Sequence, residues 1–393
     1  MTKTITDIAG VYSGAIAAGI KPNRLDLAVI YVPKSVGSAA VFTTNKAEAA
    51  CVTYSRKLIK RNILKAVVIN AGNANAATGE EGLQNAKKMG KATAEALGLR
   101  PGEVGVASTG IIGVQLPIAK IETGIQTLLS QPLGQDGMSA AKAIMTSDLV
   151  DKHVFLEDKI GKKIIQVAGI AKGSGMIAPN MGTMLGFLVT NADIPSELLQ
   201  DMLREATQKS FNMVTVDGDT STNDAVFLFA TGERKVNLNS DDRGLFQALL
   251  TEACVTLAKK IARDGEGATK LIEIHVKGAA SHRDAVVIAK TVGESPLVKT
   301  AIHGEDPNWG RVLAAIGRAP EIKCNQAKID IQFAGTIVFE SGAPKAFDRE
   351  ALHREMAVDT IVIVINMHLG KGQATAWGCD LTRGYVDINV AYS

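Results

Sequence analysis

Two short stretches of the sequence place a hydroxyl beside a glycine, a pairing that suits acyl transfer. In one of them, Gly182 precedes Thr183, between a stretch rich in glycine and proline and an apolar run at 184–189. Glycine has no Cβ to hinder attack on its carbonyl, and it adopts backbone conformations closed to other residues. Threonine is also common at strand starts for packing reasons alone. The chemical interpretation is that Thr183 attacks the carbonyl of Gly182 and the chain cuts itself there.

Such a cut would supply both a nucleophile and its base. The attack shifts the peptide bond to an ester, which water then hydrolyses, so that a new chain begins at Thr183. A hydroxyl is a weak nucleophile that needs a base, and a free α-amine has a pKa of about 7.7 to 8.0. The amine released at Thr183 would therefore activate the hydroxyl of the same residue.

The other stretch is STGIIG at 108–113, where Thr109 precedes Gly110. A hydroxyl and an accessible glycine N–H can both donate to a developing oxyanion. A plain glycine turn has the same pattern, so the residues alone leave both readings open. The amide-rich segment NAGNANAATG at 70–79 is equally ambiguous, because its side chains either line a site or satisfy their own backbone.

Several of these segments together resemble one family. APNMGTMLGF at 178–187 resembles the self-cleavage motif of the ornithine acetyltransferase (glutamate N-acetyltransferase) family of arginine biosynthesis. The segments at 70–79 and 108–113 and the C-terminal segment resemble the same family, so the resemblance covers nearly the whole chain. This sequence has Gly182 where the family usually has alanine, and it ends in Ser393 where the family usually has threonine.

The resemblance implies a role for individual residues. Thr183 would be the nucleophile, and Thr109 with Gly110 would stabilise the tetrahedral intermediate. Thr146 and Lys172 match substrate-binding positions, and Lys172 would pair with an amino-acid carboxylate. From the residues alone, a lysine beside glycines is as well explained by a solvated surface position.

Three further residues, in the last third of the chain, match substrate-binding positions of the family. Glu266 follows a long predicted helix, where the helix dipole disfavours a carboxylate, and the resemblance implies that it pairs with the ammonium of ornithine. Asn389 and Ser393 match family positions that contact substrate, so the C-terminal tail is expected to be ordered over the site. Alternating apolar residues at 385–393 predict that this tail is a strand.

The elements that must position these residues alternate between strand and helix. Apolar runs predict strands at 27–32, 41–44, 66–69, 104–107, 164–170, 184–189, 226–230 and 271–276. Helical spacing predicts helices at 83–97, 140–148, 195–206 and 245–261. Ser295 and Pro296 open a further helix, Ala334 and Gly335 form a hairpin, and Trp309 packs at a helix start. The polar side chains at 216–224 are expected to cap turns before the strand at 226–230. The pattern predicts an α/β fold, and the resemblance implies stacked sheets between helical layers.

Composition excludes several classes of protein. The net charge is +3, from 43 basic and 40 acidic residues without a basic block, which argues against a nucleic-acid partner. The four cysteines are far apart and form no zinc or disulfide pattern, so they are expected to be buried in a reducing compartment. No apolar run approaches the roughly 18 residues of a membrane span. A cytoplasmic protein without metal or membrane is expected.

The resemblance implies a two-chain enzyme, with an alpha chain of residues 1–182, a beta chain of residues 183–393 and two copies of each. Acetyl-Thr183 would carry the acetyl group from N2-acetylornithine to glutamate, giving ornithine and N-acetylglutamate. No cofactor is expected, and acetyl-CoA as a second acetyl donor is left open. The alternatives are a self-cleaved aminopeptidase, which hydrolyses its acyl-enzyme with water, and an uncut, non-catalytic binding protein.

Intact mass measurement tests the cut. The purified wild type should contain one chain ending at Gly182 and one beginning at Thr183. Thr183→Ala should remain a single inactive chain because no hydroxyl attacks Gly182, whereas Thr183→Ser should still cut. An active wild type composed only of full-length chain would contradict self-cleavage.

Overall fold

The computed structural model describes residues 2–178, 184–235 and 240–391. Gly182, Thr183 and Ser393 lie outside these residues, so the expectations attached to them remain predictions. The chain divides into two compact units. Unit 1 comprises Met1–Gly173, Pro179–Asn212 and Asp219–Leu257, and unit 2 comprises Ser174–Ala178, Met213–Gly218 and Ala258–Ser393. The division into chains at Gly182 is a separate question that these units leave untested.

The strands of the described residues are β1 (Tyr12–Ile16), β2 (Leu27–Tyr31), β3 (Gly37–Phe42), β4 (Ala66–Asn73), β5 (Val104–Ile111), β6 (Lys152–Ile160), β7 (Lys163–Lys172), β8 (Leu185–Ala192), β9 (Val214–Thr215), β10 (Ala225–Arg234), β11 (Leu271–Ala279), β12 (Asp330–Phe333), β13 (Thr336–Glu340), β14 (Ala343–Pro344), β15 (Thr360–Asn366) and β16 (Gly372–Cys379). The helices are α1 (Ala50–Ile59), α2 (Gly79–Leu97), α3 (Ile118–Leu128), α4 (Gly137–Ala143), α5 (Ser196–Gln208), α6 (Ser240–Arg263), α7 (His282–Gly293), α8 (Pro296–His303), α9 (Trp309–Gly317), α10 (Arg349–Glu355) and α11 (Arg383–Ala391).

Unit 1 contains a four-stranded sheet, in the order β1-β2-β4-β5, and a five-stranded sheet, in the order β3-β10-β8-β7-β6. Strands β4 and β5 are parallel, as are β8 and β10, and the other neighbours are antiparallel. Side chains alternate between the two faces of each strand, so each sheet can bury both faces. The long apolar runs of β2, β4, β8 and β10 agree with this arrangement, because their residues are almost all buried.

The two sheets of unit 1 stack face to face. The Phe227 ring of β10 lies on Gly105 of β5, where an added Cβ would come within 3.1 Å of the ring. On the opposite face of the five-stranded sheet, Leu257 of α6 lies against Gly169 of β7. On the outer face of the four-stranded sheet, Gly124 of α3 lies against the Leu27 side chain. The expectation of stacked sheets between helical layers is confirmed for this unit.

Side chains from neighbouring helices cap two sheet edges in unit 1. At the edge strand β3, the Ser38 N–H donates to the Ser196 hydroxyl and the Ala40 N–H donates to the Gln200 side chain, both in α5. At the edge strand β5, the Ser55 hydroxyl of α1 donates to the Val106 carbonyl and accepts from the Val106 N–H. These backbone groups have no strand partner, and the helices satisfy them instead.

Unit 2 is built on a seven-stranded sheet, in the order β14-β13-β12-β15-β11-β16-β9. Helix α7 packs on β11 and β16, and α9 packs on β12. Trp309 begins α9, the Asn308 side chain caps that helix, and the indole stacks on Phe339 of β13 with ring centroids 4.8 Å apart. The interpretation of Trp309 as a packing residue at a helix start is confirmed.

The C-terminal segment departs from the sequence prediction. The strand predicted at 385–393 is wrong, because residues Arg383–Ala391 form α11. The Thr382 hydroxyl accepts the Gly384 N–H at 3.0 Å, which is the bonding of a helix N-cap. The apolar alternation fails as a strand signal because Val386 and Val390 are exposed, by 57% and 71%.

Two smaller expectations are also wrong. Helix α4 ends at Ala143, so the predicted helix at 140–148 is too long and Thr146 lies beyond it. Three cysteines are buried as expected, but Cys324 is exposed. No helix in the described ranges has both the length and the apolar character to cross a membrane.

Phe227 should be the most sensitive packing position of unit 1. Its ring is fully buried, stacks on Phe187 and meets Phe42 edge-on, with centroids 5.7 Å apart in both pairs. Phe227→Ala should lower the free energy of unfolding by about 3 to 5 kcal/mol, because it leaves a cavity between the two sheets. Ile164→Ala is the control in the same sheet, since Ile164 is 49% exposed. Denaturant unfolding measures both, and similar losses for the two variants would contradict the assignment of Phe227 to the core.

Candidate active site

Thr109 and Gly110 lie inside β5, near its carboxyl end. The strand continues to Ile111, so the predicted strand at 104–107 is too short and the pair is not in a loop. Gly110 pairs with Gly72 of β4 and has a φ of +133°. A Cβ at Gly110 would lie 2.2 Å from the Gly72 carbonyl carbon, so no other residue fits this position. The local geometry explains the glycine independently of any catalytic role.

Lys172 is the last residue of β7, and its side chain joins the two sheets of unit 1. The Nζ donates to the Thr109 Oγ1 at 3.2 Å. Lys172 is 5% exposed and Thr109 is 9% exposed, so the reading of Lys172 as a solvated surface lysine is wrong. Because the Thr109 oxygen accepts from Lys172, its own O–H points elsewhere, and the described residues provide no acceptor for it.

Asp148 fixes the backbone at Gly173, next to Lys172, and at Thr146. Its carboxylate accepts the Gly173 N–H at 2.7 Å, directly after Lys172, and the Thr146 N–H at 3.0 Å. It also accepts from the Nζ of Lys152 at 2.7 Å, and both of these side chains are fully buried. A single carboxylate therefore places two of the predicted substrate-binding residues, Thr146 and Lys172.

The surroundings keep Asp148 ionised. Burial by itself would raise the pKa of this carboxyl, but the charges of Lys172 and Lys152 and the hydrogen bonds from Lys152 and Thr146 outweigh burial. They hold the pKa of Asp148 well below its usual range. A fixed negative charge therefore lies between two buried cations.

Thr146 is half-buried in the segment between α4 and β6. In addition to its N–H bond to Asp148, its carbonyl accepts from the guanidinium of Arg24 at 3.5 Å. Both contacts involve the backbone of Thr146, and the structure brings this residue together with Thr109, Gly110 and Lys172 in unit 1.

Glu266 lies in unit 2, in the turn that follows α6, and it is 8% exposed. Its N–H donates to the Ser174 carbonyl, and the Ser174 hydroxyl donates to the carbonyl of Asp264. A Cβ at Gly175 would lie 2.3 Å from the Glu266 carboxyl carbon, so the absence of a side chain at Gly175 leaves room for the carboxylate. The Ser174–Gly175 backbone thus holds Glu266 in place.

Asn389 reaches Glu266 from α11. Its Nδ2 donates to the Glu266 Oε2 at 2.9 Å and to the Tyr385 carbonyl at 2.9 Å. The Thr382 hydroxyl donates to the Gly267 carbonyl at 2.7 Å, which attaches the start of α11 to the same turn. Two of the predicted substrate-binding residues, Glu266 and Asn389, are therefore in direct contact, through a helix and not through a strand.

The sequence analysis missed Asp148 and two further buried polar residues of unit 1, Asn223 and Asp224. The Nδ2 of Asn223 donates to the Ala74 carbonyl, directly after β4, and to the Ser108 carbonyl, within β5. Asp224 is fully buried, and burial raises its pKa well above its usual range although the Met184 N–H and the charge of Lys172 oppose the rise. Among the side chains at 216–224, which are predicted to cap turns, the Ser221 hydroxyl accepts the nearby Asn223 N–H. Asp217 instead accepts the N–H groups of Met176 and Ile177 in a distant segment.

The described site residues can bind anionic groups and stabilise negative charge. In unit 1, a buried ammonium and an unused hydroxyl donor lie next to a glycine, as stabilisation of an oxyanion or carboxylate requires. In unit 2, a carboxylate with an amide partner can accept from a substrate ammonium. The described residues contain no group of three or more His, Cys, Asp or Glu that would hold a metal ion.

Comparisons with known proteins show the family of this chain. The sequence matches the ArgJ family over residues 12–393. It is 46% identical to the arginine biosynthesis bifunctional protein ArgJ of Dehalococcoides mccartyi, over 99% of this chain and 97% of that protein. The protein of the same name from Lactococcus lactis is 45% identical, over 99% of this chain and 98% of that protein.

Among solved structures, the crystal structure of the arginine biosynthesis bifunctional protein ArgJ from Bacillus halodurans is 44% identical, with a TM-score of 0.51. The alignment covers 52% of this chain and 98% of the solved chain. The mixed α/β fold and the extent of these matches define a member of one enzyme family. The chain belongs to the ArgJ family.

Asp148→Asn should destabilise unit 1. The substitution removes the carboxylate that pairs with the buried Lys152, and breaking a buried ion pair typically costs about 3 to 5 kcal/mol of unfolding free energy. The stabilisation from ionised Asp148 is complete above the unfolded pKa of about 3.9 and is lost as pH falls through the lower folded pKa. Chemical denaturation from pH 7 down to pH 3 should therefore show a larger loss in the wild type than in Asp148→Asn. Parallel pH curves would contradict this assignment.

Proposed function

We propose that this chain transfers the acetyl group of N2-acetylornithine to glutamate, through an acetyl ester of Thr183 formed after self-cleavage at Gly182. The observation that carries the proposal is the buried contact between Lys172 and Thr109 beside Gly110. It supplies a hydroxyl donor that is not used within the described structure, next to a cation, as the oxyanion of an acyl transfer requires. The match to the ArgJ family over nearly the whole chain supports the same reaction.

The reaction has two half-reactions with the same tetrahedral chemistry. The Thr183 hydroxyl attacks the acetyl carbonyl of acetylornithine and its proton passes to the α-amine of Thr183. The carbonyl oxygen becomes an oxyanion, which Thr109 and Gly110 stabilise. Collapse breaks the amide bond, and ornithine leaves with the proton. The amine of glutamate then attacks the acetyl ester, and N-acetylglutamate leaves while Thr183 regains its proton.

Several residues carry the binding of substrate in this proposal. Lys172 pairs with the α-carboxylate that both amino acids share, and Glu266 with its partner Asn389 receives the ammonium of ornithine. Thr146, which Asp148 holds, completes the contacts described in unit 1. Ser393 has a hydroxyl group, as does the threonine that the family usually has at this position.

The length of a solved relative supports self-cleavage. The Bacillus halodurans chain aligns over 98% of its own length yet covers only 52% of this chain, as expected of a relative divided into two chains. The relatives are named bifunctional proteins, which supports acetyl-CoA as a second acetyl donor for glutamate. We also propose that the enzyme is cytoplasmic and contains two copies of each chain. The sequence resemblance to the family supports both of these points.

The test supplies glutamate with acetylornithine or acetyl-CoA separately and follows acetylglutamate. The wild type should form acetylglutamate from acetylornithine. Thr109→Ala should lower kcat about 10² to 10³-fold because one oxyanion donor is lost, and Thr109→Ser is the matched control that retains the hydroxyl. Unfolding curves should agree for the three proteins.

Each alternative outcome is distinct. Release of acetate without a requirement for glutamate would identify a hydrolase related to the aminopeptidases. An intact chain without turnover would identify a binding protein. An unchanged kcat in Thr109→Ala would remove Thr109 from the oxyanion site.

A further inference from the structure

Lys21 is a second lysine close to the Lys172–Asp148 pair. The charges of Asp148 and Lys172 both act on its ammonium group. Its Nζ donates to the carbonyls of Met145 at 2.7 Å and Ala143 at 3.3 Å, just before Thr146. Its stem passes over Gly72, where a Cβ would come within 2.8 Å of the Lys21 Cγ, and Gly72 pairs with Gly110. Lys21 therefore adjoins the predicted oxyanion donors and the predicted carboxylate site.

The loop that carries Lys21 is held rigidly by a buried carboxylate. Asp26 is fully buried and accepts the N–H groups of Ala18 at 2.6 Å, Ile20 at 2.6 Å and Lys21 at 2.8 Å. Three such bonds fix the backbone of Lys21 before any ligand binds. The ammonium is thus preorganised, which lowers the entropy cost of a contact with substrate.

Lys21 retains one donor for a ligand. An ammonium has three N–H groups, and two are used by the Ala143 and Met145 carbonyls. Within the described ranges, no third acceptor is present for this group. Among the described residues, two carboxylates and two other cations act on the Lys21 ammonium, so Lys21 itself adds one net positive charge there. The carboxylates are Asp26 and Asp148, and the other cations are Arg24 and Lys172.

We propose that Lys21 binds the second carboxylate of glutamate and N-acetylglutamate, and so makes the site of unit 1 suitable for a dicarboxylate acceptor. The inference rests on the proposed acetyl transfer. Acetylornithine and ornithine have one carboxylate, for which Lys172 suffices. Glutamate and acetylglutamate have two, and the remaining N–H donor of the Lys21 ammonium matches the additional carboxylate.

The pKa of Lys21 supports this role. Burial lowers the pKa to about 8, although the charges of Asp26 and Asp148 raise it and those of Arg24 and Lys172 lower it further. The ammonium is therefore charged at pH 7 and loses its charge as pH rises through about 8. Glutamate use should weaken over this range if Lys21 binds a carboxylate.

A purely structural role is the rival explanation, because Lys21 also holds the segment before Thr146. Loss of that support would weaken both half-reactions, since Thr146 is predicted to contact both substrates. A role in carboxylate binding would weaken only the glutamate half-reaction. In a double displacement, kcat/KM for each substrate reports its own half-reaction, so the two explanations give different results.

The experiment measures kcat/KM for glutamate and for acetylornithine in the wild type, Lys21→Met, Lys21→Arg and Lys120→Met. Methionine keeps the length of the stem over Gly72. Lys120 is the matched control, because its exposed ammonium donates to the Gly19 carbonyl of the same loop. Lys21→Met should lower kcat/KM for glutamate about tenfold or more, as expected for loss of a charge-assisted hydrogen bond. Its kcat/KM for acetylornithine and both values in Lys120→Met should change by about twofold or less.

Lys21→Arg should recover most of the glutamate activity. Relative to the wild type, it should also lack the decline in glutamate kcat/KM above pH 8, because arginine stays charged. Equal losses for both substrates, or no loss for either, would overturn the proposal. A loss of acetyl-CoA kcat/KM with glutamate unaffected would assign Lys21 to a donor phosphate and would also overturn it. A wild type without acetylornithine-dependent activity would instead contradict the proposed function itself.

Discussion

The candidate site in unit 1 depends on one ionised carboxylate buried among lysines. Asp148 must lose its contacts with water, and only the charges of Lys152 and Lys172 and its N–H donors make that burial favourable. In return, it fixes the backbone at Thr146 and Gly173 and keeps Lys172 directed at Thr109. The Thr109 hydroxyl and the Lys172 ammonium therefore share a single electrostatic support.

The stacked sheets make this support possible. Thr109 belongs to the four-stranded sheet and Lys172 to the five-stranded sheet, so their contact exists only while the two layers stay in register. The aromatic contacts of Phe227 bury the interface between these layers. Close packing resists sliding of one layer past the other, and the hydrophobic core thereby protects a polar contact between side chains 63 residues apart in sequence.

The sequence was most informative where signals are local. Bounded apolar runs predict β8 and β10, Ser295 and Pro296 predict the start of α8, and the segment around Thr183 identifies the family. The sequence analysis failed where a residue's hydrogen-bond partner lies far away in the sequence. No residue close to Lys172 in the sequence predicts its burial, because Asp148, which accepts the Gly173 N–H, lies 25 residues before Gly173. The alternation at 385–393 likewise does not show that the helix cap Thr382 donates to the Gly267 carbonyl of a distant turn. The polar segment at 216–224 predicts turns, but it does not show that Asp217 bonds a distant segment or that Asp224 is buried.

The capped strand edges have a consequence for how copies of this protein associate. An uncapped edge strand can extend its sheet into a neighbouring molecule through main-chain hydrogen bonds, both in ordered oligomers and in fibrillar aggregates. On β3 and β5, the backbone groups of Ser38, Ala40 and Val106 already bond to side chains of α5 and α1. Continuous intermolecular sheets are therefore blocked at these positions, and any partner meeting this region must recognise it through side chains.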